Sequence, residues 1–226
     1  MKLCGRPMIA WSILQARRSE VVDQVFVTSD DDEILETAEA WGASGIRRPR
    51  NLASDTASSE SALQHAVDWI ESRERLPDLV VFLQATSPLR EPDDITGAIR
   101  QMESDQADSL LTCAPLEDCF IWQPSPQGYM TSNYDYRKRP RRQDLGEQYL
   151  ENGSIYLFTP EVLRRYNNRL GGKIAIFLMA GWKSVQLDSI ELKSLVEWHM
   201  RERLLQQLLI GAEGNPSPTK LTEVAS

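Results

Sequence analysis

Apolar and polar positions in this chain of 226 residues follow two rhythms, and each change of rhythm marks an element. From Ile9 to Ala16 apolar residues recur at helical spacing, and Gln24-Val25-Phe26-Val27-Thr28 reads as a short strand. Asp31 to Trp41 returns to helical spacing, with Asp and Glu crowded into the first turn, where the helix dipole favours them. Ser58 to Ser72 predicts a longer helix carrying Ala62, His65, Ala66, Trp69 and Ile70 on one side. Leu79-Val80-Val81-Phe82-Leu83 is continuously apolar, the pattern of a parallel strand buried on both faces. A helix over Asp93 to Met102 and a strand over Ser109 to Cys113 follow. Strands that alternate with helices predict an α/β fold: a mostly parallel sheet, right-handed in its connections, with helices on both faces.

The alternation then stops. Pro115 to Gln148 holds Pro124, Pro126, Gly128 and only short strand candidates at Phe120-Ile121-Trp122 and Tyr129-Met130, so it predicts an excursion from the sheet. The turn Glu151-Asn152-Gly153 leads back into a strand over Ser154 to Phe158. Ile174 to Met179 and Lys183 to Leu187 supply later strands, and Ile190 to Leu209 a long C-terminal helix. Residues 211–226, with two prolines and little apolar content, are expected to be a disordered tail. The layout is one domain over 1–210, interrupted by the excursion at 115–148, without internal repeats.

Charge sharpens the picture at one place. Arg137, Lys138, Arg139, Arg141 and Arg142 put five cations in six residues of a chain whose formal net charge is −8. Such a cluster either meets a strong anion or is a solvated loop; the ordered strand that follows soon after favours the anion. The acidic balance excludes a general nucleic-acid binder, which needs a broad basic face. No apolar run reaches membrane-spanning length, and the first residues lack the apolar core of a signal peptide, so a cytoplasmic protein is expected. Cys4, Cys113 and Cys119 have neither CxxC nor His-paired spacing and read as reduced thiols.

Ligands of open α/β sheets collect at the carboxyl ends of the strands. There the chain places Ser29-Asp30-Asp31-Asp32, then Gln84-Ala85-Thr86-Ser87-Pro88-Leu89-Arg90, then Asp188. The middle segment combines an amide, two hydroxyls and a guanidinium, suited to a polyhydroxylated acid; its plainer reading is a Ser-Pro turn before a helix.

These residues carry a resemblance. Gly5 to Ile13, Thr28-Ser29-Asp30-Asp31 and Arg48 to Ser58 resemble the CMP-sialic acid synthetases, the acylneuraminate cytidylyltransferases. Gln84 to Arg90 is similar to that family's Gln-Pro-Thr-Ser-Pro-Leu-Arg loop, with Ala85 in place of proline. Arg139-Pro140-Arg141-Arg142-Gln143-Asp144, Glu151-Asn152-Gly153-Ser154 and Gly171-Gly172-Lys173 are similar to later motifs, so the match runs in order from Gly5 to about Met200. The resemblance implies a Rossmann-like sheet of the nucleotide-diphospho-sugar transferase type. It also implies transfer of CMP from CTP to the anomeric hydroxyl of a nine-carbon keto acid sugar, with release of pyrophosphate and help from Mg2+. Carried over by motif, Arg48 and Ser58 lie by the nucleotide. Gln84, Ser87, Arg90, Arg141, Arg142, Gln143 and Asn152 hold substrate, with Arg142 also catalytic. Asp188 becomes the catalytic magnesium ligand, against the alternative that it caps a helix. Relatives dimerise through the equivalent excursion, so a homodimer is implied.

Two departures stand against full equivalence. The family begins with a strand and a basic Gly-Ser-Lys loop that cradles the triphosphate, and nothing in Met1 to Arg6 replaces it. Many relatives have Asp-x-Asp where this chain has Gln186-Leu187-Asp188. Either the start codon is assigned too late, the favoured reading, or the protein is an impaired homologue that binds a nonulosonate sugar or regulates a partner. A related nucleotidyltransferase of the 3-deoxy-octulosonate type is the remaining alternative.

Overall fold

The computed structural model describes residues 1–54, 57–116, 120–141, 144 and 146–206. A tight hairpin of β1 (Lys2–Leu3) and β2 (Arg6–Pro7) opens the chain and leads into α1 (Met8–Arg18). Next come β3 (Phe26–Ser29), α2 (Asp32–Ala40), β4 (Ser44–Arg47), α3 (Ser59–Glu71), β5 (Val80–Leu83), α4 (Pro92–Ser104) and β6 (Ser109–Pro115). The excursion holds the hairpin β7 (Trp122–Pro124) and β8 (Met130–Ser132), and the chain returns as β9 (Tyr149–Phe158). It ends with α5 (Pro160–Tyr166), β10 (Ile174–Leu178) and α6 (Lys193–His199). Three helices start where a side chain meets an orphan N–H: Asp31 accepts from Glu33 and Ile34, Ser58 from Ser61, and Thr159 from Val162. Each such cap stabilises its helix by about 1 kcal/mol.

The central sheet has the order β10-β6-β9-β5. β10 pairs parallel with β6, while β9 lies antiparallel between β6 and β5, so three of the four strands run the same way. Strand alternation divides the core into two layers. On one face Val81, Leu83, Leu110, Ile155, Leu157 and Ala175 pack against Ala16 of α1 and Ile95, Ala98, Ile99 and Met102 of α4. On the other, Val80, Phe82 and Phe158 meet Leu63 and Val67 of α3 and Val162 and Leu163 of α5.

β3 and β4 form a separate parallel pair. They share both helical layers with β5: Val25, just before β3, joins the α1–α4 cluster, and the Phe26 ring meets Trp69 of α3 edge-on at 6.4 Å. Yet no ladder joins β3 to β5 among the described residues. All four residues of β5 are only half-buried, whereas β6 and the second half of β9 are buried almost throughout.

The structure corrects several expectations. Glu151-Asn152-Gly153 is not a turn but part of β9, where the register against β6 shifts between Leu111 and Cys113; the extra residues make a bulge. Lys183 to Leu187 is not a strand: Gly181–Ser184 forms a 3-10 turn and the segment pairs with no sheet. The helix expected over Ile190 to Leu209 starts as a 3-10 turn at Ile190–Leu192, becomes α6, and widens to a π turn at Met200–Leu204. Val196, Met200 and Leu204 are all fully buried in one cluster with Trp11 and Leu187. Four residues of α-helix turn about 40° too far to keep that spacing on one line, and a wider turn takes the excess back. Cys4 and Cys113 are free thiols. Cys119, residues 207–209 and the tail at 211–226 lie outside the described residues.

The 3-10 turn at Gly181–Ser184 is held by a buried charge cluster that the hydrophobic pattern conceals. Lys183, 6% exposed, donates to Glu91 Oε2 at 2.5 Å and to both oxygens of Asp94, at 2.8 and 2.6 Å, over the first turn of α4. Burial pushes the Asp94 carboxyl above its ordinary value, and Lys183 draws it partly back. Lys183→Met should therefore cost roughly 3–5 kcal/mol, because it leaves buried carboxylates without their cation. Asp94 has a raised pKa when folded, so acid protonates it more readily in the folded chain than in the unfolded one and relieves the deficit. Urea unfolding at neutral pH and again in mild acid should show the variant recovering relative to wild type; equal deficits at both would sink this account.

Candidate active site

The loop after β5 is built around a guanidinium. Arg90 is wholly buried, and each of its five N–H groups has an acceptor. Nε donates to Ser154 Oγ at 3.1 Å; Nη1 to Ser12 Oγ at 3.0 Å and Gln15 Oε1 at 3.5 Å; Nη2 to the carbonyls of Gln84 at 2.6 Å and Ser87 at 2.5 Å. All five acceptors are neutral. Burial lowers the Arg90 pKa to about 9, with Asp94 offsetting part of the fall, so the group is charged at neutral pH. Gln15 reinforces the joint by donating from Nε2 to the Pro88 carbonyl at 2.8 Å.

The second wall is the β9 bulge. Thr112 of β6 lies opposite it, donating to Asn152 Oδ1 at 2.6 Å and accepting from the Ile155 N–H at 3.0 Å. Asn152 Oδ1 also accepts the Ser154 N–H, and Asn152 Nδ2 faces Met179 Sδ. Gly153 sits at φ +63°, in the left-handed region. A Cβ there would stand 2.4 Å from Gln84 Oε1 and 3.1 Å from Gln186 Nε2, so two half-buried amide side chains converge on this glycine.

The third element is the segment before Asp188. The Leu187 N–H donates to the Thr86 carbonyl at 2.7 Å, and the Leu187 side chain packs with Leu89 and Trp11. Asp188 is thus exposed beside the loop, and Ser189 rather than Asp188 is the residue that precedes the 3-10 turn. Among the described residues no three His, Cys, Asp or Glu side chains group as a metal cage. One carboxylate still fits magnesium, which keeps most of its waters and takes substrate phosphate oxygens.

The residues expected by the nucleotide stand just after β4 and just before α3. The Arg48 N–H donates to the Ser29 carbonyl at 2.9 Å, and Arg48 Nη2 is 3.7 Å from Asp30. Arg48 Nε and Thr28 Oγ1 are buried without a hydrogen-bond partner, a costly state that a bound polar ligand would relieve. Ser58 is exposed and occupied in capping α3.

The structure therefore joins Gln84, Ser87, Arg90 and Asn152 in one lattice with Asp188 at its edge. Ser87, Arg90 and Asn152 are fully buried and form the supporting wall, leaving Gln84 and Gln186 nearer the surface. Arg141 is exposed in the excursion, bonded to Asp144 at 2.7 and 3.0 Å; Arg139 lies over Phe120 and Arg137 over Tyr136. Arg142 and Gln143 lie outside the described residues. Sequence reasoning missed Ser12, Gln15, Thr112 and Ser154. Ser12 and Gln15 had a signal: two polar residues three apart inside the apolar stripe of Ala10, Trp11, Ile13 and Ala16, all buried.

Residues 1–178 match the family model described as Cytidylyltransferase. A pseudaminic acid cytidylyltransferase of Campylobacter jejuni (serotype O:23/36, strain 81-176) is 33% identical over 160 residues, covering 69% of this chain and 68% of the relative. The N-acylneuraminate cytidylyltransferase of Oncorhynchus mykiss is 32% identical over 193 residues, covering 82% of this chain but 42% of the longer relative. Among solved structures, a CMP:2-keto-3-deoxy-manno-octonic acid synthetase complexed with CTP superposes with a TM-score of 0.66 at 19% identity, covering 90% of this chain and 91% of its own. That likeness speaks for the fold.

The bulge makes a direct prediction. Gly153→Ala should cost about 1–2 kcal/mol from the left-handed backbone alone, and more from displacing Gln84. Thermal unfolding measures the first part. Hydrogen exchange at residues 84–90 reads the second, and an unchanged pattern there would show that the Gly153–Gln84 contact does not shape the loop.

Proposed function

The chain belongs to the cytidylyltransferase family, and from that premise we propose that it transfers CMP from CTP to the anomeric hydroxyl of a sialic-type nine-carbon keto acid, releasing pyrophosphate. The observation that carries this reading is the lattice joining the Gln84–Arg90 loop to the Asn152–Ser154 bulge, with the amides of Gln84 and Gln186 converging on Gly153. Amides both donate and accept, which suits a ring of hydroxyls. The relatives at about one-third identity act on acids of this class by name, and that supports it.

In such a transfer the hydroxyl oxygen bonds to the α-phosphorus in line with the departing pyrophosphate, so the protein chiefly positions two substrates and balances charge. Arg48 and Thr28 would meet the nucleotide, a reading that their unpaired buried atoms support. Gln84 would orient the acceptor over the rigid wall formed by Ser87 and Asn152, with Arg141, Arg142 and Gln143 completing the acceptor site. Bound magnesium, held by Asp188, would supply charge neutralisation at the phosphates. No helix among the described residues is long and apolar enough to cross a membrane. A cytoplasmic location, where CTP is made, belongs to the same proposal.

The break between β3 and β5 favours a second reading for the chain as it stands: substrates bind but turnover is poor, because phosphate-cradling backbone belongs at strand ends in the middle of such a sheet. The test is pyrophosphate release from CTP and magnesium with N-acetylneuraminate, pseudaminic acid or 3-deoxy-octulosonate. It should be run on the 226-residue chain. Turnover of a nine-carbon acid is expected, slow if the second reading holds. Full turnover removes the second reading, and turnover of the octulosonate alone overturns the acceptor class.

The excursion belongs to the proposal as the contact between two copies. Tyr129, Met130 and Trp122 are 62%, 54% and 44% exposed, on a small hairpin whose rings already lean on one another. Large exposed aromatics in a segment too short for its own core are characteristic of interface centres. A two-fold contact would carry Arg137, Lys138 and Arg139 toward the other subunit. Sedimentation should show a dimer at micromolar concentration that the Trp122→Asp, Tyr129→Asp double variant dissociates; a dimeric variant would place the interface elsewhere.

A further inference from the structure

Arg90 presents an unusual balance. Its guanidinium is fully buried, and its five hydrogen bonds go to two hydroxyls, a side-chain amide and two backbone carbonyls. The carboxylate that acts on it electrostatically is Asp94, whose oxygens are taken by Lys183 and the Glu91 N–H. A buried charge normally carries a partner of opposite sign, because desolvation costs several kcal/mol that neutral hydrogen bonds only partly return. Among the described residues no carboxylate bonds the guanidinium itself; Asp94, which with Glu91 shares the single cation Lys183, acts on it only from a distance.

The acceptors say where the charge is useful. They come from α1, from the Gln84–Ser87 turn and from β9, so the fork ties the loop to both neighbouring elements from beneath. A lysine could not span them, since an ammonium has three donors and no planar fork. Because the charge is buried, salt screens it little, and an anion lying on the outer side of the loop would feel it.

We propose that Arg90 is a positioning residue that fixes the Gln84–Ser87 turn through its five bonds and selects an acidic acceptor through a charge that no bonded carboxylate cancels, without touching the acceptor. This rests on the acceptor site described above. The two parts separate by substitution: Arg90→Lys keeps the charge and loses the fork, while Arg90→Met loses both.

The first measurement is hydrogen exchange on the ligand-free 226-residue chain. Faster exchange is expected at 84–90 and 152–155 in both variants, with other elements close to wild type. Uniform acceleration over the whole chain would reduce Arg90 to a general core residue. Should Arg90→Met fail to fold, Arg90→Lys still decides this arm. The second measurement is steady-state turnover by the 226-residue chain with N-acetylneuraminate. Arg90→Met should raise KM for the acid roughly tenfold, the scale of one unit charge about 10 Å away at an effective dielectric constant of about 20. Arg90→Lys should raise it clearly less, and KM for CTP should stay constant in both. Equal KM in the two variants would overturn the selection by charge. Absence of turnover in wild type with any acceptor would instead overturn the functional reading, while the exchange result would still decide the positioning role.

Discussion

The requirement that every buried donor be paired governs the middle of this protein, and it acts chiefly through Arg90. Five N–H groups at zero exposure need five acceptors, and those acceptors dictate where α1, the loop after β5 and the β9 bulge stand relative to one another. Ser12 and Gln15 then have to lie on the inward face of α1, which places Trp11 against Leu89 and Leu187. Leu187 in turn holds the Thr86 carbonyl, and so the last segment of the site is positioned by the same joint. A second buried cation, Lys183, fixes the other end of that segment to α4. The two differ in one respect: carboxylates bond Lys183 directly, whereas among the described residues Arg90 bonds only neutral acceptors.

That contrast sorts the cations of an acidic chain by what they can do. Arg141 pairs with Asp144 in the open, where an ion pair contributes little and salt weakens it. The exposed Arg137, Lys138 and Arg139 would act at range, raising the local concentration of anions before contact, and a second subunit would bring another set. Arg90 acts only at short range but in a medium that does not screen it. Attraction by the exposed set and discrimination by the buried one would be separable jobs carried by different residues.

The sequence showed elements well and junctions poorly. Long periodic helices such as α1, α3 and α4, and continuous apolar strands such as β5, were legible because burial on a face repeats along the chain. The loop Gln84 to Arg90 was legible as chemistry, by the types it gathers. The bulge was not: Glu151-Asn152-Gly153 carries turn residues, and only the pairing across to Thr112 shows that the strand continues through them. Lys183 to Leu187 looked like a strand for a similar reason. Its apolar positions do face the core, but they meet side chains of Leu89 and Trp11 instead of a neighbouring ladder, and side-chain periodicity does not record where backbone hydrogen bonds go. Arg90 was read as a substrate-holding group because it stands among the polar residues of the loop. Its burial depends on Ser12 and Gln15, which are distant in sequence.

The divided sheet follows from the same accounting of hydrogen bonds. β3 and β5 are covered by common helices on both faces, so the layers extend across the gap even though the ladder does not. The outer edge of β5 has backbone donors and acceptors with no ladder partner among the described residues, and all four of its residues are half-buried. Helices can hold such a gap open, since α3 reaches Phe26 through Trp69 and β5 through Leu63 and Val67. What they cannot supply is the row of N–H groups that a strand end offers to a phosphate chain. The loop and bulge anchored on β5, β6 and β9 are tied together by hydrogen bonds, while unpaired buried polar atoms remain at Thr28 and Arg48. Both orphaned atoms lie on the β3–β4 side of the gap, where a phosphate-bearing ligand or further backbone would have to meet them.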